Sequence, residues 1–482
     1  MPLALTASFP LLAQQPAPAI TLPEVVVTGE SSDYRPPVVN KAGLKADIPL
    51  LKTPQAVSIV TDALIKDQGT RKLEEIIKNV AGVSPGGEYA EWDYYSIRGF
   101  DASFSTYLDG LRGDYEGMGV ETFGLERVEV IKGPASTLYG QASLGGIVNL
   151  VSKKPMHEFG GEIGFTTGSW DLYESTLDVN LPLTAADSDL GIYMRLNALY
   201  NEHGSFMDFY HAERLFIAPA LTFEFSEDTS LTLLARYQSD QGLYSVALPA
   251  RGTVLPNPHG QIPISTFIGD PDKTGGIDVE NLRLGYEFKH RFNDHLSLRQ
   301  NLGFFRVEQS WAHGLYNAVL GDDLRTLYVT PFNYQNGVIK RTMVDTAVDF
   351  TFETGDIKHT LTAGVDYFYS HNRSRYQDID YDDFPGSYVA IDLFNPDHDF
   401  TLPDYSVSDE FNVREHSLGF YLQEHAELTE KLTVTLGGRY DYLWLDDTGS
   451  WGNSAVKATD HAFTPKAGIT YEFVPGTAVY AN

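Results

Sequence analysis

The stretch HLSLRQNLGFF, residues 295–305, sets polar and apolar side chains in alternation. Period two is the signature of a β-strand, whose successive side chains point to opposite faces. LTVTLGGRYDYLWL (432–445), LTLLARYQ (231–238) and IYMRLNALY (192–200) repeat the pattern. From about residue 158 onward the chain holds about twelve such segments of about ten residues, the length of a tilted membrane-crossing strand. Short polar turns (TAADSD, SED, ND, TGD, TEK, PG) take turns with long segments near 241–276, 312–337, 376–412 and 446–460. Short turns on one rim and long loops on the other are the asymmetry of an antiparallel transmembrane β-barrel. A soluble β-sandwich does not impose it so regularly.

Composition narrows the function classes. The chain has 482 residues and a formal charge of −30, from 65 acidic against 35 basic side chains. That excess argues against nucleic acid as a partner, because phosphates would be repelled. There is no cysteine, which excludes disulfides, thiol catalysis and thiolate metal sites. No apolar run is long enough for a membrane helix. Aromatic residues are abundant, with 28 Tyr and 27 Phe.

Upstream of the alternating region the texture differs. Residues 1–15, MPLALTASFPLLAQQ, read as part of a secretory signal: an apolar core and a small-residue exit, without the usual leading positive charge. Residues 16–50 are rich in Pro and Ala and read as an extended tether. Within it, Glu24-Val25-Val26-Val27-Thr28, bounded by Pro23 and Gly29, favours an exposed strand with no sequence neighbour to pair with. Residues 51–155 mix short helical and strand signals, as expected of a small α+β unit. Thr61–Ile65 and Arg71–Ile77 have helical spacing, while 95–100, 106–110 and 128–131 read as strands.

A glycine spacing in TLYGQASLGGIVNLVSKKP (137–155) needs an explanation. Gly140 and Gly145 are spaced as in a phosphate-binding loop, but Gly146 and Ile147 stand where such a loop needs Lys and Ser or Thr. The nucleotide reading fails, and the glycines are expected to serve tight turns and close backbone approach.

Taken in order, several motifs carry a resemblance. They are Glu24-Val25-Val26-Val27-Thr28-Gly29, Ile97-Arg98-Gly99-Phe100, Tyr107-Leu108-Asp109-Gly110-Leu111-Arg112, Leu125-Glu126-Arg127-Val128-Glu129-Val130-Ile131-Lys132-Gly133-Pro134, and the 137–155 stretch. Together they resemble the TonB-dependent outer-membrane receptors, and within them the ferric-siderophore receptors. The resemblance covers nearly the whole chain. It implies an α+β plug domain (51–155) inside an antiparallel transmembrane β-barrel (156–482), in the cell outer membrane of a Gram-negative-type bacterium. Barrels with plugged lumens have about 22 strands, so about twelve implies an incomplete, C-terminally truncated barrel. The implied partners are the TonB complex, a ferric siderophore and outer-membrane lipid, with the receptor a monomer. No resident cofactor is implied, since iron arrives as a chelate.

The resemblance also assigns roles. Glu24, Val25, Val26, Val27 and Thr28 would bind TonB by adding a strand to it. Arg98, Glu126, Arg127, Glu129 and Lys132 would form charged pairs locking plug to barrel wall. Trp92, Tyr94, Tyr95 and Tyr115, with Tyr89 beside them, would meet the ligand from the plug. Trp311, His313 and Tyr316 would do so from the barrel. Aromatic faces suit large, partly apolar iron chelates. The 248–263 segment, LPARGTVLPNPHGQIP, resembles a loop of hydroxamate-siderophore receptors. Ferrichrome-type receptors carry an arginine about a dozen residues before Arg-Gly-Phe, where this chain has Pro85-Gly86-Gly87-Glu88. The acidic run 378–383 lacks the spacing of a calcium loop and is expected to be a solvated extracellular loop. No metal-ligand spacing and no catalytic constellation stands out, so an enzyme is not expected. Alternatives are a related receptor for cobalamin, haem or a saccharide, and a passive porin, which would need neither tether nor plug.

Overall fold

In the computed structural model, the described residues are 3–6, 34, 37, 39–86, 92–113, 119–185, 188–243, 247–379, 385–386, 388–405, 407–449 and 455–482. They form an inner α+β unit and an antiparallel sheet that walls it.

The inner unit is built on a five-stranded sheet, in the spatial order Ala56–Thr61, Leu125–Lys132, Gly146–Ser152, Thr106–Leu108 and Leu111–Arg112. Its two central strands, Leu125–Lys132 and Gly146–Ser152, are rich in Val and Ile and bury both faces, as central strands must. Thr61 starts the helix Asp62–Gln68 with its hydroxyl accepting from the Leu64 N–H, and left-handed Gly69 ends it. That helix and Leu73–Ile77 pack Ile65, Leu73, Ile76 and Ile77 against Val60, Val128, Val130 and Val148. A three-stranded ribbon, Val83–Pro85, Tyr95–Ile97 and Phe100–Asp101, closes the outward end.

Here the glycines of 137–155 find their purpose. Gly146 holds φ +141°, and a Cβ on it would lie 2.1 Å from the Ile131 carbonyl oxygen. A Cβ on Gly145 would lie 2.1 Å from that of Ile97. Only glycine allows the inner sheet and the outward ribbon to approach so closely.

The wall is a meander in which the strands from Gly160–Gly168 to Thr477–Ala481, Val389–Asp392 apart, pair antiparallel in sequence order. Its two faces separate as lipid and lumen require. On Leu432–Asp447, Leu436 is 53% exposed while Arg439 is 2% exposed, and Phe420, Leu422 and Phe463 line the outside with it. Among the described residues the sheet has fifteen strands, against about twelve expected. The excess includes Leu3–Thr6, which pairs with Gly160–Gly168, and Val389–Asp392, which pairs with Thr326–Thr354. Among the described residues, the path runs from Leu3–Thr6 to Thr477–Ala481 without pairing these two ends.

One expected loop is not a loop. Segment 312–337 belongs to the strands Leu296–Leu320 and Thr326–Thr354, whose hairpin reaches well past a membrane's thickness. Its alternating Leu315, Leu327 and Val329 are covered by Ile262, Ile268, Val389, Ile391 and Leu393 from the neighbouring long loops. An apolar cap therefore forms outside the bilayer, and burial there extends the strands.

Candidate functional site

Three wall strands bring aromatic residues into register above the plug. Trp311 of Leu296–Leu320 stands opposite Tyr334 of Thr326–Thr354, and Tyr334 opposite Tyr376 of Ile357–Asp378. The Trp311 and Tyr334 rings lie 5.6 Å apart, and Phe332 stacks on Tyr376 at 5.7 Å. Residues two apart share a face of a strand, so Gln309 accompanies Trp311, Phe332 accompanies Tyr334, and Asn372 and Ser374 accompany Tyr376. Register shifts flank Trp311, the kind of bulge that re-aims a side chain. Gly314 makes room, because a Cβ there would lie 2.4 Å from the Phe332 ring.

From the plug, Trp92 meets this row edge-on, its ring 5.3 Å from Trp311. Beside this contact lies a cavity of about 380 Å³, lined from the plug by Trp92, Asp93, Tyr94, Ser103, Phe104, Thr106 and Val120. The wall contributes Gln309, Trp311, Phe332, Tyr334, Asn372, Ser374, Tyr376 and Phe411. Asp93 fixes the plug side. Its carboxylate accepts from the Glu74 N–H (3.2 Å) and the Val120 N–H (2.9 Å), and burial pushes that carboxyl above its ordinary range. A larger cavity of about 580 Å³ shares Trp92, Asp93, Gly119 and Val120 with the first. It is lined by charges already paired, including Arg71 with Glu174 (2.8 Å) and Arg214 with Glu121 (3.2 Å). The smaller, aromatic cavity is the better ligand site.

Of the expected ligand residues, Trp92, Tyr94 and Trp311 meet at this cavity. Tyr95 does not. It is 2% exposed in the plug core, its hydroxyl 2.6 Å from that of Thr106, because it alternates inward from Tyr94. His313 instead pairs with the Tyr405 hydroxyl at 2.6 Å in the outer cap. Tyr316 lies on Leu296–Leu320, but its side chain lies outside the described residues, as do Tyr89, Tyr115 and Glu24 through Thr28. The 248–263 segment gives Ile262 to the apolar cap rather than to the cavity lining. Asp378, expected in a solvated loop, is 2% exposed, and 380–383 lie outside the described residues. Gln309, Phe332, Tyr334, Asn372 and Tyr376 were missed, because they fall in or beside stretches read as loops. Their period-two spacing was the available signal.

The expected plug–wall locks also need correction. Arg127 pairs with Glu126 and Glu129, and Glu129 accepts from Asn149 (2.7 Å). Lys132 donates to the Ser58 hydroxyl and the Ala81 carbonyl, while Arg98 turns through φ +53° beside Gly133. All these contacts are within the plug, since the paired strands carry their own partners. Plug is tied to wall elsewhere, by Asp109 to Arg283 (3.0 Å), Lys153 to Asp178 (2.9 Å) and Lys154 to Glu287 (2.6 Å), and the segment just before the plug by Lys45 to Asp345 (3.0 Å).

Comparison with known proteins agrees with this architecture. Residues 49–147 match the TonB-dependent receptor plug domain, and residues 220–482 match the TonB-dependent receptor-like β-barrel. The chain is 32% identical to the ferrichrome outer membrane transporter/phage receptor of Escherichia coli, over 91% of this chain and 61% of that protein. It is 31% identical to the ferrioxamine B receptor of Salmonella typhimurium, over 99% and 66%. Against the metal-pseudopaline receptor of Pseudomonas aeruginosa the figures are 30%, 98% and 67%. The chain thus spans about three fifths to two thirds of the length of these relatives. The ferripyoverdine receptor of Pseudomonas aeruginosa superposes with a TM-score of 0.80 at 23% identity, over 94% of this chain and 59% of that one. The ferric-catecholate import receptor Fiu of E. coli gives 0.76 at 23%, over 92% and 71%. With its barrel match extending over more than half its length, the chain belongs to the TonB-dependent receptors, a family of outer-membrane receptors rather than enzymes.

Proposed function

We propose that this protein is an outer-membrane receptor and active transporter for a ferric siderophore of hydroxamate type, energised through TonB. The observation that carries the reading is the aromatic cavity where Trp92 and Tyr94 of the plug meet Trp311, Tyr334 and Tyr376 of the wall. Aromatic faces remove a partly apolar chelate from water, and the few polar groups among them orient it. The ferrichrome and ferrioxamine B receptors among its relatives support iron as cargo over cobalamin, haem or a saccharide. The wording of 248–263 supports the hydroxamate class.

In this reading the work of transport enters through the valine strand. Val25 to Thr28 pair with an edge strand of TonB, and pulling on the tether loosens the plug's ion pairs with the wall. Replacing Val26 with Pro removes a backbone donor from that pairing. In cells expressing the receptor, Val26→Pro is expected to abolish uptake of radiolabelled ferric siderophore while surface binding remains. Uptake at the unsubstituted rate would refute TonB energisation through this strand.

A further inference from the structure

On the outward face of the wall, four basic side chains come together across neighbouring strands. Lys340 of Thr326–Thr354 stands opposite His371 of Ile357–Asp378, and His371 stands opposite Arg414 of Val407–Glu427. Arg373 shares that face, two residues on from His371. Their neighbours fix the direction in which they point. Lys340 lies between the buried Ile339 and Arg341. Arg373 lies between Asn372 and Ser374 of the cavity lining. Arg414 precedes Glu415, which pairs with Arg112 of the plug at 3.6 Å. Successive side chains of a strand alternate faces, so the basic ones point away from the lumen. Lys340, Arg373 and Arg414 are exposed, and among the described residues none of the three has a hydrogen-bond or ion-pair partner.

Like charges on facing strands repel, and the acids around the patch face cations of their own. Asp446, opposite Arg414, pairs with Lys457 at 3.3 Å; Glu308 pairs with Arg306; and Glu410 stands opposite Arg375. In a chain of net charge −30, these cations are left for an anion from outside.

A second observation gives the height of the patch. Two residues down each strand the same face carries Thr342, Tyr369 and His416, with Trp444 opposite His416. Tyr367 and Tyr442 follow, and then Phe420 and Leu422 of the lipid-facing band. Girdles of Tyr and Trp mark the level of the lipid headgroups. The cations stand one step beyond the girdle, on the side of the ligand cavity, at the depth of headgroup phosphates.

We infer that Lys340, His371, Arg373 and Arg414 form a binding surface for a lipid whose headgroup carries phosphate groups, on the outer face of the wall. The two guanidinium groups offer paired N–H donors to phosphate oxygens, and Lys340 adds a compact positive charge. His371 sits among them, a ring nitrogen 2.8 Å from the Asn412 side-chain oxygen. The aromatic and apolar residues below meet the acyl chains. The wall separates this surface from the chelate cavity, so the inference stands whatever the cargo.

The test offers three probes to the purified full chain in nonionic detergent: a bisphosphorylated diglucosamine lipid, the same lipid with both phosphates removed, and inorganic phosphate. Bound lipid is counted by native mass spectrometry across a titration. The bisphosphorylated lipid is expected to bind saturably and at least tenfold more tightly than its dephosphorylated form, and inorganic phosphate at equal concentration is expected not to displace it. Lys340→Gln, Arg373→Gln and Arg414→Gln should each weaken its binding about fivefold, the worth of one basic residue at a membrane surface. The triple variant should lose on the order of a hundredfold. Lys431→Gln, on the short hairpin of the opposite rim, should change neither lipid's binding. Equal binding of the two lipids, an unchanged preference in the folded variants, or displacement by inorganic phosphate at equal concentration would overturn the inference.

Discussion

Asp109 shows how much one side chain of a plug motif carries. It sits at φ +52°, where a short polar side chain is tolerated, at the turn after Thr106–Leu108. Its carboxylate accepts from the Ser152 N–H (2.9 Å) and hydroxyl (2.8 Å), and pairs with Arg283 of the wall at 3.0 Å. Burial pushes its pKa up, but Arg283, Lys154 and Ser152 outweigh that and hold it below the ordinary carboxylate range. A depressed carboxylate contributes stability that is present above its unfolded value, about 3.9, and is lost as pH falls through the lower folded value. Asp109→Ala should cost about 3–5 kcal/mol, because it leaves Arg283 buried without its charge partner. A drop in the plug's thermal transition, read by differential scanning calorimetry, checks this; an unchanged transition would show that Arg283 finds other compensation. The sequence marked Asp109 as part of a motif but did not name its role. It marked Arg98 and Lys132 with equal force, and they turned inward to the plug. Which charge faces the wall depends on pleat direction and register, and neither is fixed by residue type.

At the scale of elements, alternation was legible and its ends were not. The short turns TGD and TEK lie at the hairpins between Thr354 and Ile357 and between Glu427 and Leu432. The helix start at Thr61 was close because its cap is local chemistry. The arm 312–337 was misread because its strands are extended by tertiary burial in the outer cap, which no window of local sequence contains. Asp378 ends the strand Ile357–Asp378, next but one to Tyr376 of the site. The Asp378 carboxyl accepts from the Ile379 N–H at 2.8 Å, and burial pushes its pKa up to about 6. A raised carboxyl stabilises the folded form when protonated, so that stability is lost as pH rises from the ordinary carboxylate range through about 6. Hydrogen exchange in the residues around Asp378, corrected for intrinsic rate, should therefore be faster at about pH 7 than at about pH 5. Asp378→Asn should remove the difference. Exchange around Asp378 that is independent of pH in the unsubstituted protein would count against this reading.

Across the whole molecule, plug and wall meet through ion pairs and, at the candidate ligand cavity, through aromatic faces. Under the proposed function, such contacts suit a plug that holds firm while unloaded and yields under traction, since each pair is strong intact and costly to break singly. The class of the fold was legible from period two and from five motifs in order. The site was half legible: Trp92 and Trp311 could each be named from the family resemblance, but 219 positions separate them in the numbering. Only the registered strands bring them to 5.3 Å. That contact makes the central claim measurable, because the chain has five tryptophans and two of them touch edge to face in the cavity lining. Replacing Trp170, Trp444 and Trp451 with Phe leaves Trp92 and Trp311 as the reporters among these 482 residues. Titrating this variant with a ferric tris-hydroxamate should quench its emission saturably, at one chelate per receptor, and Tyr334→Ala should weaken the binding up to about tenfold. A folded receptor that binds the chelate with no change in this emission would place the ligand elsewhere and contradict the account.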